Sequence, residues 1–208
     1  MSDLPVAYFL QAIQDFRHGV RTSAEPRKTN LGLMIGIAKA ISPEDAQAAA
    51  EYFAAITRTP WIRVVESATA PKTHIEGFIQ YAIPGGSTEP LGMRIVETPE
   101  NVEQTEPLRN PRSGFVAYAP VGSIRKGEAL VMTGGGRTVA CGICHGADLK
   151  GLGNVPGIAG RSPSYLVRQM YDMQAGARRG PGAALMKPVV EKLTNDDYVA
   201  IAAYVSSR

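Results

Sequence analysis

Cys141-Gly142-Ile143-Cys144-His145-Gly146 places both cysteines of a 208-residue chain, and one of its three histidines, within six positions. Three chemistries compete for that spacing. A thiol–disulfide pair belongs in a βαβ surround, but the flanks "TGGGRTVA" and "GADLKGLGNVPG" are glycine-rich loop. Such a pair also has no need of the adjacent histidine. Structural zinc takes four ligands. No other cysteine exists, and His18 and His74 lie far back in unrelated contexts. The third chemistry is covalent haem. Two thiols one helical turn apart can add to the two vinyl groups on one porphyrin edge, and the next residue offers its imidazole to the iron. C-x-x-C-H is the attachment signature for that bond. The haem reading leads, and a redox or chance C-x-x-C stays open beside it.

Haem iron held by one histidine needs a second axial ligand or keeps an open site. Residues 121–208 offer Met132, Met170, Met173 and Met186. Thioether with imidazole raises the reduction potential. Met132 falls in an expected helix before the motif, as a core residue. Met170 and Met173 recur at helical spacing, where core filling is the default. Met186 stands between Ala-Leu and Lys-Pro and is expected in a loop, stiffened by Pro188, that folds over the ring face opposite His145. If both ligands bind, no open position remains, which argues against a peroxidase or oxygenase. The alternative is a haem enzyme or sensor with an open or displaceable sixth site.

The elements that position these residues read as mainly α. Ser123 is expected to cap a helix to about Met132, ended by glycines 134–136. Ser162-Pro163 opens a second helix, "SYLVRQMYDMQAGARR", with Pro163 in its first turn. Leu166, Met170, Met173 and Ala177 form its apolar stripe. Thr194 caps a last helix, "NDDYVAIAAYVSS", with acids in the first turn.

Helix, C-x-x-C-H, loop, helix, methionine loop and terminal helix together resemble a class I cytochrome c. The runs "PGIAGRSPSYLVRQMYDMQAGAR" and "LMKPVVEKLTNDDYVAIAAYV" are similar to the C-terminal domains of bacterial two-domain dihaem cytochromes c. The resemblance covers 121–208. It implies Cys141 and Cys144 as thioether positions, His145 as proximal and Met186 as distal ligand, and the Pro156 carbonyl beside the free nitrogen of His145. It also implies a haem pocket with Ile158, Tyr165, Leu166, Met170 and Leu185. Electron transfer through one haem c per chain is the function it implies, alone or as a subunit of a dehydrogenase complex. Redox proteins would be the partners, and the periplasm or the outer face of the inner membrane the location.

Residues 1–58 repeat the C-terminal part. "AYFLQAIQDFRHGVR" lies over "SYLVRQMYDMQAGAR", matching Tyr8 to Tyr165, Asp15 to Asp172, Gly19 to Gly176 and Arg21 to Arg178. After a five-residue insertion, Leu33-Met34 meets Leu185-Met186 and "SPEDAQAAAEYF" meets "TNDDYVAIAAYV". The segment therefore reads as the second half of a cytochrome domain without its own C-x-x-C-H. His18 aligns with Ala175, so Met34 is expected to be unligated. Helices are expected at about 5–18 and 43–56. Their apolar faces, Phe9/Ile13/Phe16 and Ala46/Ala50/Phe53, must pack on each other, on the C-terminal domain or on a second copy. A shortened chain is the simplest origin, and a natural half-domain with a structural role the rival.

Residues 59–120 differ. "WIRVVES", "GFIQYAI", "GMRIVETP" and "GFVAYAPV" are β-branched and aromatic runs between turns. They read as short strands forming a connecting region, with a hairpin that wraps the cytochrome domain. Trp61 reads as packing and His74 as surface.

The bulk numbers narrow the function further. Apolar content is 44% and charged content 20%, and no eighteen-residue apolar run is present. A net charge of +3 is too small for a nucleic-acid claim. Residues 121–208 hold eleven Lys/Arg against six Asp/Glu, net +5; residues 1–120 hold eleven against thirteen, net −2. A basic haem domain would steer towards an acidic partner. The N-terminus has no basic region and no small-residue cleavage site, so it does not read as a secretory signal. Haem c attached outside the cytoplasm would then require a removed signal or a chain that begins late.

Overall fold

A computed structural model describes residues 2–27 and 30–208. The helices are α1 (Val6–Arg17), α2 (Leu31–Ala40), α3 (Pro43–Ala54), α4 (Val102–Thr105), α5 (Ser123–Thr133), α6 (Gly142–His145), α7 (Pro163–Gln174), α8 (Pro181–Val190) and α9 (Asn195–Ser206). The strands are β1 (Ile62–Glu66), β2 (Thr69–Pro71), β3 (Thr73–Glu76), β4 (Ile79–Ala82), β5 (Thr88–Pro90), β6 (Val96–Pro99), β7 (Phe115–Ala119), β8 (Gly151–Leu152) and β9 (Val155–Pro156). The mainly α reading holds. The chain forms two compact units that do not follow chain order. One gathers Met1–Arg58, Cys141–Gly157 and Arg168–Leu193; the other gathers Thr59–Ala140, Ile158–Val167 and Thr194–Arg208.

In the second unit, α5 crosses α9. Gly127 makes the crossing possible, because a Cβ there would collide with the Ala200 carbonyl oxygen and stand 2.8 Å from Tyr204 Cβ. Helix α9 is buried from Asp197 to Ser206. Its start is a capping box: the Thr194 hydroxyl accepts from Asp197 N–H, and the Asp197 carboxylate accepts from Thr194 N–H at 3.0 Å. The same carboxylate faces Lys126 Nζ at 2.9 Å and Arg137 Nη1 at 2.9 Å. Burial alone would push its pKa up, but the Lys126 ammonium, the Thr194 donors and Arg137 outweigh it and hold the group well below the usual carboxylate range.

Ser123 is not the cap of α5. Gly122, at φ +87°, holds that position, and Ser123 is the first helical residue. A left-handed entry is open to glycine at no steric cost, and serine's cap preference loses to it here. The connecting region forms a mixed sheet in the order β1-β7-β6, with β1 parallel and β6 antiparallel to β7. Both β1 and β7 pack against α9. Hairpin β3–β4 lies outside that sheet, as does the antiparallel pair β2–β5. Trp61 donates from Nε1 to the Gly160 carbonyl at 3.1 Å and packs edge-on against Phe115, which is the packing role read for it. His74 is a surface residue, 3.7 Å from Glu76.

In the first unit, α1 packs on both α2 and α3. Phe9 stacks on Phe53 at 6.1 Å, so of the three routes open to those apolar faces this chain packs them on each other. Arg17 donates to the carbonyls of Ala38 and Ile41, both at 2.7 Å, and so closes the C-terminal end of α2. The repeat is visible in the backbone. Helices α1 and α7 have 12 residues each, as do α3 and α9. The turns after α1 and α7 carry left-handed glycines at matched positions, Gly19 at φ +68° and Gly176 at φ +74°. The two copies also meet: Arg21 and Arg178 form an antiparallel bridge, with Thr22 N–H to the Ala177 carbonyl at 2.8 Å and Arg179 N–H to the Val20 carbonyl at 2.9 Å.

Two helices differ from the sequence reading. Met186 lies inside α8, not in a loop, and Leu33-Met34 lies inside α2. Pro181 begins α8, where a missing N–H costs nothing, and Ala-Ala-Leu-Met are strong helix formers. Pro188 is tolerated near the end. Gln174 then closes the turn beyond α8, its Nε2 donating to the carbonyls of Val190 at 2.8 Å and Leu193 at 2.9 Å.

Candidate functional site

The C-x-x-C-H run forms α6, a single turn in which His145 N–H donates to the Cys141 carbonyl at 2.9 Å. That turn sets Cys141, Cys144 and His145, at i, i+3 and i+4, on one face of the short helix and its cap. Both thiols are free, Cys141 half-buried and Cys144 exposed. Burial pushes the Cys141 thiol up to about 11. His145 is buried at 8% exposure. Its burial lowers the imidazole pKa, opposed by the Pro156 carbonyl, and so favours the neutral ring.

Hairpin β8–β9 provides that carbonyl. His145 Nδ1 and the Pro156 carbonyl oxygen stand 2.7 Å apart. A carbonyl only accepts, so Nδ1 carries the proton and Nε2 keeps its lone pair for a metal. The hairpin can close this tightly because two residues lack a Cβ. At Gly157 a Cβ would collide with the Lys150 carbonyl, and at Gly151, φ +108°, it would meet the Val155 carbonyl at 2.9 Å. Gly146, at φ +83°, turns the chain from α6 into this hairpin, and a Cβ there would stand 2.8 Å from the Gly151 carbonyl oxygen. In the sequence these glycines read only as loop. Their role in aiming the histidine becomes visible once Pro156 is paired with it.

Met186 belongs to the same unit as the motif and is half-buried on α8, with Leu185 at 77% exposure beside it. Met170 is half-buried and in this unit too; Met173 is buried at 7%, a core residue, and Met132 is 53% exposed. Ile158, Tyr165 and Leu166 are half-buried residues of the other unit. No cluster of three His, Cys, Asp or Glu able to hold a bare metal ion is present among the described residues.

The chain is similar to several known proteins. It is 41% identical to cytochrome c-554(548) of Halomonas halodenitrificans over 69 residues, which cover 33% of this chain and 83% of that protein. The chain belongs to the class I c-type cytochromes. It is also 35% identical over 82 residues to cytochrome c4 of Stutzerimonas stutzeri and 33% identical over 81 residues to that organism's thiosulfate dehydrogenase electron acceptor. Those matches cover 39% and 36% of the relatives' own lengths. No family model matches the chain. Solved structures with the same fold include cytochrome c4 of Acidithiobacillus ferrooxidans, at TM-score 0.59 and 17% identity over 100% of this chain and 86% of that one. Reduced cytochrome c4 of Pseudomonas stutzeri gives 0.59 and 20%, over 99% and 82%. Cytochromes of this family are electron carriers rather than enzymes.

The residues present fit a covalent haem. The thiols are unpaired, the histidine is buried, neutral and fixed in the tautomer that frees Nε2, and a neutral thioether lies in the same unit.

Proposed function

We propose that residues 121–208 are the haem domain of an electron-transfer cytochrome. It carries one haem c bonded through Cys141 and Cys144, with His145 and Met186 on the iron. When bound, the haem supplies reversible one-electron chemistry. The chain's own residues hold it in place and fix the imidazole, and a second axial ligand keeps substrates from the metal. The hydrogen bond from His145 Nδ1 to the Pro156 carbonyl supports this reading most directly, because it leaves one ring nitrogen, in one orientation, for iron. The single C-x-x-C-H in this sequence supports one haem per chain. Met34 sits on α2 at 39% exposure with no thiol pair to accompany it.

The basic character of the haem-bearing part would set the partner. Lys150, Arg168, Arg179, Lys187 and Lys192 are all exposed in the unit that carries α6, and an acidic redox protein suits them. The match to thiosulfate dehydrogenase electron acceptors favours a dehydrogenase as electron donor. Attachment of haem c would suit the periplasm or the outer face of the inner membrane; no helix among the described residues is long and apolar enough to cross a membrane. Residues 59–120 connect this domain to the half-cytochrome segment 1–58, which is also the candidate for self-association.

The ferric spectrum tests the axial pair. Thioether ligation gives a weak band at the red edge and resistance to cyanide and CO. Met186→Ala should abolish the band, admit cyanide and lower the potential, with the haem still attached. If Met186→Ala keeps the band and Met170→Ala loses it, the distal assignment is wrong. A wild-type protein that binds CO readily would instead be a haem enzyme or sensor.

A further inference from the structure

The carbonyl that aims His145 rests on a slight support. Hairpin β8–β9 consists of two residue pairs, Gly151 with Pro156 and Leu152 with Val155. A two-stranded ribbon of that size is marginal in water on its own. The chain leaving Pro156 is held instead. Gly160 follows Pro156 by four positions, and both its backbone groups are taken. Its N–H donates to the Val205 carbonyl at 2.8 Å, and its carbonyl accepts from Trp61 Nε1 at 3.1 Å. The Arg161 carbonyl accepts from the Ser206 hydroxyl at 2.7 Å. One oxygen of Glu97 accepts from the Ser162 hydroxyl at 2.8 Å and from Ser164 N–H at 3.3 Å. Val205 and Ser206 belong to α9, whereas Trp61 and Glu97 come from the connecting region. The three-stranded sheet keeps both of them in place. Glu97 lies on β6 opposite Ala117 of β7, and the Trp61 carbonyl, just before β1, accepts from Phe115 N–H at 2.8 Å. Residues 160–164 and all these partners fall within the second unit.

We propose that Trp61 and Glu97 are positioning residues for the haem ligand: by fixing the segment Gly160–Ser164 they hold the exit of β9, and with it the Pro156 carbonyl, on His145 Nδ1. This rests on the haem reading above. The coupling runs along the chain, since β9 leads into the clamped segment through Gly157, Ile158 and Ala159. With that exit released, the short hairpin opens and the bond from Nδ1–H to the carbonyl weakens. An imidazole whose N–H is bonded is a more basic ligand, and a more basic ligand favours ferric iron. The connecting region thus sets the reduction potential without touching the iron. The proposal gives residues 59–120 a role beyond joining two parts of the chain.

Redox titration of the full-length holoprotein, with NMR of the His145 Nδ1 proton in the reduced state, tests this. Trp61→Phe keeps a ring against Phe115 and removes the N–H; Glu97→Ala removes the acceptor. Each should keep the covalent haem, raise the midpoint potential, and speed exchange of the Nδ1 proton by about fivefold, the weight of one net hydrogen bond. Glu97→Gln retains an oxygen for Ser162 and Ser164 and should stay close to wild type. In Gly157→Ala the new methyl already opens the hairpin against the Lys150 carbonyl, so adding Glu97→Ala there should leave the potential where it is. Potentials and exchange rates for Trp61→Phe and Glu97→Ala that match wild type, with only thermal stability reduced, would show a purely structural clamp and overturn the proposal. A shift for Glu97→Gln as large as that for Glu97→Ala would mean that the carboxylate acts by its charge, which also overturns it. If wild type holds no covalent haem, the functional reading fails instead; a haem protein with unmoved potentials fails this proposal alone.

Discussion

Gly127→Ala is a stringent perturbation of the helix crossing on which the α9 side of the fold depends. In an exposed helix, alanine for glycine gains about 1 kcal/mol. Here the new methyl would collide with the Ala200 carbonyl oxygen, stand 2.6 Å from its carbonyl carbon and 2.8 Å from Tyr204 Cβ. Two of the three atoms are backbone in the middle of α9, which is buried from Asp197 to Ser206, so α5 must move away as a whole. Overpacking of this kind costs about 1–3 kcal/mol, and an unyielding backbone puts it at the upper end. About 3 less about 1 leaves a net loss of about 2 kcal/mol. At about 2–4 °C per kcal/mol for a chain of this size, the melting temperature should fall by about 4–8 °C. Far-UV circular dichroism on heating reads this directly. Gly36→Ala is the control, since Gly36 lies inside α2 and a Cβ there meets nothing within 4 Å. It should stabilise by about 0.5–1 kcal/mol. If Gly127→Ala melts at or above the wild-type temperature, the close crossing is not what the glycine is for.

Three further outcomes follow from the same geometry. Asp197 has a folded-state pKa below its unfolded one, so its stabilisation is complete above the unfolded value and is lost as pH falls through the acid range; the wild-type melting temperature should drop below about pH 4. Asp197→Asn should cost about 1–3 kcal/mol at neutral pH and flatten that acid limb, as read by melting at stepped pH. Gly157→Ala should open the β8–β9 hairpin against the Lys150 carbonyl and release Pro156 from His145, making the imidazole a less basic ligand and raising the reduction potential while the haem stays attached. Thr194→Ala removes the hydroxyl of the capping box and should destabilise by about 1 kcal/mol in chemical denaturation.

The parts of this fold with local signals were legible in the sequence. Thr194 caps α9, Pro163 opens α7 and the glycines after Thr133 end α5, each through contacts within a few residues. The repeat predicted matched helices, and α1 with α7 and α3 with α9 agree in length. Helices α2 and α8 were missed because "LGLMIGIAKA" and "PGAALMKPVV" carry glycine and proline and little polar periodicity. Their apolar content reads equally well as loop or buried segment. The parallel pairing of β1 with β7 joins residues about fifty positions apart, and no local pattern encodes it. Of the candidate site, Cys141, Cys144 and His145 stand in one motif. The tautomer of His145 needed the hairpin, and the hold of Trp61 and Glu97 on the segment after it needed the sheet, before either could be seen.

The central claim is a haem bonded to Cys141 and Cys144. Mass spectrometry of a tryptic digest after acid–acetone extraction tests it on one peptide, Thr138–Lys150, which contains both cysteines and His145. The account predicts that this peptide retains one haem and that neither thiol can be alkylated. Extraction of all haem into the solvent, with both cysteines alkylated in the recovered peptide, would contradict it.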